Sequence, residues 1–95
     1  MSLAALARAT RDAVLDGPGT TDPALRRRIA SQDPPSELAA LAAKVRGQAY
    51  RVTDQDLDAL RTRYTDDQLF ELIVAAAVGA AAHRLDRALA VLEDA

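Results

Sequence analysis

This chain of 95 residues has no cysteine and no tryptophan, and only one histidine, one lysine, one phenylalanine and two tyrosines. Without a thiol it can form no disulfide, offer no thiolate to a metal and carry out no sulfur redox chemistry. So few aromatics leave little on which nucleic-acid bases could stack. Charge of one sign is scarce too, with a formal net charge of −2. Residues 1–48 sum to +2 (seven basic, five acidic) and residues 49–95 to −4 (five basic, nine acidic). Neither half has the clustered basic face of a nucleic-acid partner. The apolar run Val74 to Ala82, which follows LFELI, falls short of the ~20 residues that span a bilayer. Arg8, Arg11 and Asp12 interrupt any leader-like apolar segment near the start. The expectation is a soluble, cytoplasmic, single-domain protein with no membrane and no nucleic-acid partner.

Alanine is abundant. It supplies 22 of the residues behind the 49% hydrophobic content. Alanine favours helix but buries little apolar surface, at about 0.8 kcal/mol per methylene-sized group. Such a chain gains stability from closely packed helices and from association. A homo-oligomer joined through the Ala-rich helix is therefore expected, and a different protein partner is the other option.

Periodicity and capping residues outline about five helices. Leu3, Leu6, Ala7, Val14 and Leu15 recur at helical steps over 3–15, and Gly17-Pro18-Gly19 stops that helix. Asp22 followed by Pro23 opens a second helix through Ala30. After Asp33-Pro34-Pro35, a third helix over about 35–46 carries Leu38, Leu41, Ala42 and Val45 on one stripe, with Gly47 as its cap. Residues 48–52 read as an extended connector. Thr53 with Asp56, and Thr65 with Gln68, form capping boxes that start a short helix from Asp54 to about Arg61 and a long one from about Asp66 to Glu93. From Leu69 to Ala82 the long helix is apolar nearly all round, broken only by Glu71, so it should lie enclosed by this chain or by a neighbour.

The segment RVTDQDLDALRTRYTDDQLFELIVAAAVGAAAHRLDRAL, Arg51 to Leu89, resembles the C-terminal half of the alkylhydroperoxidase D-like, or carboxymuconolactone decarboxylase, family. Val52-Thr53-Asp54 with Asp56, Leu57 and Leu60 carries the likeness. So do Asp67, Leu69, Phe70, Glu71 and Leu72 leading into the Ala-rich helix. ELAALAAKVRGQAY resembles the family's preceding helix, so residues 35–93 form the similar part and 1–34 match less clearly. The resemblance implies an all-α fold assembled into trimers or hexamers. It also implies, for the thiol members, a Glu, a Cys-x-x-Cys pair and a His. That constellation is missing here, which excludes peroxidase chemistry by that route. The decarboxylase branch does not depend on the cysteines.

Candidate chemical residues are few. His83 is the only side chain whose unperturbed pKa lies near neutrality, and Asp86 three residues on could orient it as a general base. The plainer reading is a boundary residue packed on apolar neighbours. Glu71 could be a buried acid of raised pKa facing a pocket, or an exposed or Arg-paired residue at the one polar corner of the helix. Arg84 or Arg87 could hold a substrate carboxylate. No cofactor is implied, and one His with no partner at ligand spacing gives no metal site. Asp54, Asp56 and Asp58 lack the Gly and Glu of a calcium loop and read as helix-start residues. Arg26-Arg27-Arg28 could pair with the acidic Asp54–Asp67 region of this or a neighbouring subunit, or form a solvated or ion-paired face. Two functions follow: a non-redox, cysteine-free oligomeric interaction or scaffold protein, and alternatively a cofactor-free decarboxylase-like enzyme acting on a small carboxylate or lactone.

Overall fold

A computed structural model describes residues 2–48 and 51–94, and within them the chain is all-α, with no strand. Helix α1 (Leu3–Asp16) is followed by α2 (Pro23–Ala30), a 3-10 turn (Ser36–Leu38), α3 (Ala39–Gln48), α4 (Asp54–Asp58) and α5 (Asp66–Asp94). The capping chemistry is where the sequence puts it. Asp22 Oδ1 accepts from the Ala24 amide at 2.9 Å, with Pro23 in the first turn. Thr53 and Asp56 form a reciprocal box. Thr65 and Gln68 form another, through Thr65 N–H to Gln68 Oε1 at 2.9 Å and Gln68 N–H to Thr65 Oγ1 at 3.1 Å.

Three local expectations are corrected. The third helix does not start as α-helix at 35: Pro35 supplies no side-chain cap, and the first turn tightens to an i+3 bond from Leu38 N–H to the Pro35 carbonyl at 2.9 Å. Gly47 does not cap it, because α3 runs to Gln48 with nothing within 4 Å of the missing Cβ. Helix α4 ends at Asp58 and unwinds through turns that return to α5. The connector expected at 48–52 falls partly on residues 49 and 50, and Tyr50 with it, outside the described residues; Gln48 is helical.

Helix α5, about 43 Å long at 1.5 Å per residue, runs along a molecule of 48 × 26 × 20 Å. Helices α1, α2 and α3 all pack on it. Leu15, Ile29, Leu38, Leu41, Val45, Leu69 and Leu72 form the core with Ala75 and Ala76. Full burial of a leucine contributes on the order of 1.5–3 kcal/mol. The whole predicted stripe of α3 is buried, but in α1 only Leu15 is, while Leu3 and Leu6 stay 69% and 52% exposed. Leu3 and Leu6 lie beside Leu85, and Val14 beside Phe70 and Val74, so α1 runs antiparallel to α5.

The stretch expected to have no wet side is enclosed on one side by this chain's own helices, through Leu69, Leu72, Ala75, Ala76, Gly79 and Ala80. Phe70 and Ala81 face outward. By length and composition α5 could cross a membrane, with a mean hydropathy of 1.3 over its most apolar window, of which 33% is buried inside the molecule. That buried share is the seat of α1–α3.

Gly79 is the tightest crossing. A Cβ there would collide with the Ala30 carbonyl oxygen, and would stand 2.6 Å from its Cα. Gly79→Ala is expected to lower stability by about 1–3 kcal/mol despite the better helix propensity of alanine, as read by urea unfolding. Gln32, just past α2, holds φ at 65° while the Asp33 amide reaches back to the Arg28 carbonyl at 3.0 Å. This is a Schellman-type end with a residue that pays for its left-handed backbone. Gln32→Gly should therefore raise stability by about 0.5–1 kcal/mol, read as a higher urea midpoint.

Candidate functional site around His83

His83 sits on the exposed side of α5, at the mouth of a cavity of about 250 Å³ between α1, α2 and α5. Arg11 and Leu15 line it from α1, Arg27 and Ser31 from α2, and Asp86 from α5. Among the described residues no hydrogen bond joins His83 to Asp86, so the expected orienting pair is not formed, although both face one space. The arginines here are not those the sequence nominated. Arg84 donates to the Arg46 carbonyl at 2.5 Å, closing the end of α3, and Arg87 does not line the cavity. A cation on the last carbonyls of a helix complements its negative end. Arg84 thus serves the fold.

Glu71 lies twelve residues, about 18 Å, before His83 on the same helix, and the two share no site. Its carboxylate accepts from the Thr20 amide at 2.8 and 2.9 Å, from the Thr20 hydroxyl, and from Thr21 Oγ1 at 3.3 Å. The Thr20 hydroxyl and amide, with Thr21 behind them, hold the carboxyl below the usual Glu range. The buried acid of raised pKa is not found, since the carboxyl is held low, and of the polar-corner reading the Arg pairing is replaced by threonines at a half-buried position. Glu71 ties the Gly17–Asp22 loop to α5.

The basic run divides its work. Arg26 is 4% exposed, and donates to the Val14 carbonyl at 3.2 Å and the Thr21 carbonyl at 3.3 Å, with its Nε unpartnered. Arg27 Nε donates to Asp16 at 2.8 Å, and its terminal nitrogens reach Asp16 and also Asp12 at 3.1 Å, which locks α2 to α1. Asp16, hydrogen-bonded by Arg27, is held below the usual Asp range. Arg28 approaches Asp33 at 4.0 Å. Within this chain the pairing with Asp54–Asp67 is therefore not made, and Arg27 and Arg28 form an ion-paired face. Instead Arg61 gathers Asp66 at 3.0 Å, Asp58 at 2.6 Å and Asp54 at 3.4 Å, while Asp56 takes Lys44 at 2.6 Å. These contacts account for the aspartates in which a calcium loop was weighed. Tyr64 wedges beside the core, and its hydroxyl donates to Glu37 at 3.1 Å.

Arg11, Arg27 and Ser31 were missed as cavity residues, yet one signal was present. Ala7, Arg11 and Leu15 fall four residues apart on one helix face, so Arg11 stands on the stripe that meets α5. Beside the cavity runs an apolar groove of about 410 Å³ between α1 and α5, walled by Leu3, Leu6, Val78, Ala81 and Leu85. The fold and site define a small helical domain in which three short helices wrap a long one. No protein-family model, curated protein or solved structure matches the chain.

The Glu71 anchor has a pH signature. A carboxyl with a lowered folded-state pKa stabilises fully above its ordinary value of 4.5, and the contribution is lost as pH falls through the lower folded value. Glu71→Gln should lower the melting temperature at neutral pH, and its deficit against the parent should shrink as pH drops below about 4. A deficit constant across that range would contradict the assignment.

Proposed function

We propose that this chain is a non-redox helical interaction module that assembles with copies of itself, related to the cysteine-free side of the alkylhydroperoxidase D-like family by the residues from Arg51 to Leu89. One observation carries the reading: an uncovered apolar strip along α1 and the end of α5. Leu3 (69% exposed), Leu6 (52%), Leu85 (38%), Val91 (70%) and Leu92 (70%) face outward in a molecule whose core rests on a few leucines and alanines. On α5, Val78, Ala82, Leu85, Leu89 and Leu92 alternate steps of four and three, the spacing of a helix–helix seam. The Ala-rich segment is covered by α1–α3 on one side only, so its outer side, with Val78 and Ala81, continues the strip from the far end of α5.

Charge fits the same reading. Arg8, on the first turns of α1, and Glu93, at the end of α5, are exposed charges of opposite sign outside the His83 cavity. A two-fold arrangement that lays α1 of one copy along α5 of the other buries the strip and pairs opposite signs. The alternative, a decarboxylase-like enzyme, keeps one supporting observation in the cavity beside His83. Glu71 and Arg84, engaged elsewhere, no longer contribute to it.

Size-exclusion chromatography with light scattering at micromolar concentration should show a dimer or larger species. Leu6→Asp with Leu85→Asp should convert it to a folded monomer, since two carboxylates buried in an apolar seam are costly. A parent protein that is monomeric and stable across that range would refute the proposal.

A further inference from the structure

Arg11 is a cation without a committed partner. Its guanidinium donates no hydrogen bond, and its Nε is buried and unsatisfied. The nearest carboxylate oxygen, Asp12 Oδ1, stands 3.5 Å from that Nε without hydrogen-bond geometry. That same oxygen already accepts from Arg27 at 3.1 Å. Asp16 takes Arg27 alone, whereas Asp12 stands between Arg27 and Arg11, so Arg11 shares its one carboxylate and holds it through no hydrogen bond. Across the space, Asp86 makes no ion pair within 4.0 Å with Arg11 or any other described cation. Ser31 uses its hydroxyl proton on the Arg28 carbonyl at 3.2 Å, so its oxygen is left to accept. Among the described residues, a guanidinium that donates no hydrogen bond and a carboxylate in no ion pair thus line one cavity.

We propose that the cavity binds a small carboxylate that also carries an amino or hydroxyl donor. The ligand carboxylate takes the Arg11 guanidinium, in the charge-assisted geometry that suits this pair. Its donor group is received by Asp86 and the Ser31 oxygen, and His83 closes the mouth. A cavity of about 250 Å³ lies just below the usual range of small-molecule sites, a size that suits an amino acid or hydroxy acid. A plain anion would satisfy Arg11 but leave Asp86 facing it. A plain amine would do the reverse. The inference stands apart from self-assembly, although Arg11 and Ala82 border both the cavity and the groove.

The test is a two-dimensional amide NMR titration with L-serine, using propionate and ethanolamine as the separate halves. Saturable shifts at Ser31, Gly79, Ala82 and His83 are expected with serine, and responses at least about tenfold weaker with either half. Arg11→Met keeps the aliphatic stem, and Asp86→Asn alters an exposed position; each should weaken serine binding about tenfold or more, while Arg63→Met should not. Should Arg11→Met fail to fold, Asp86→Asn carries the test. Repeating the titration in the Leu6→Asp, Leu85→Asp protein separates ligand binding from any change of assembly. The proposal is overturned by non-saturable shifts, by binding indifferent to both variants, or by propionate matching serine.

Discussion

The arrangement depends on one close approach, that of Gly79 to the backbone of Ala30. Only a residue without a side chain lets the end of α2 lie directly on α5. Ala75, Ala76 and Ala80 extend that small-residue face along the long helix, so α1 and α3 can settle beside α2 at short range. Close packing makes up for small side chains, since dispersion contacts accumulate only when helices touch over their length. The same approach brings Arg27 and Ser31 to one wall of the cavity that His83 borders. Pushing α2 away by the width of a methyl group would open the core and the candidate site together.

Around this contact the polar groups act mainly as fasteners. Arg26 crosses from α2 to the last turn of α1 and to the loop between them, satisfying two carbonyls where burial would make an empty acceptor costly. Glu71 fastens that same loop to α5 from the other side. Arg61 draws in aspartates from either end of the α4 turn. Exposed ion pairs of this kind contribute little each, typically about 0–1 kcal/mol. Their role is to set direction, holding the connections in the register that the core requires. Arg11 differs from them in lying on a helix face that meets α5 with Asp12 3.5 Å away and, among the described residues, no hydrogen bond.

Function enters through what the fold leaves unfinished. A chain that can bury so little apolar surface nonetheless exposes leucines from both ends of its sequence, and leaves Arg11 Nε, like Arg26 Nε, buried without a hydrogen bond. The first feature underlies the proposed assembly, and Arg11 the proposed ligand. Neither follows from the helical architecture as such, which many unrelated activities share. Each follows from where particular side chains come to rest.

The sequence by itself determined the helical class, the starts of α2, α4 and α5, and the buried stripe of α3. Caps and periodicities are local, and a proline after an aspartate or a threonine three residues before its partner acts within one turn. It did not determine which end of α1 is buried, because Leu3, Leu6 and Leu15 have the same helical spacing and only the reach of α2 and α5 tells them apart. It also misplaced the arginines beside His83, proposing neighbours on the same helix. The tertiary structure decided that the cavity takes Arg11 and Arg27, more than fifty residues away in the chain. Such a meeting is set by the crossing at Gly79, a distance in space that no local pattern encodes.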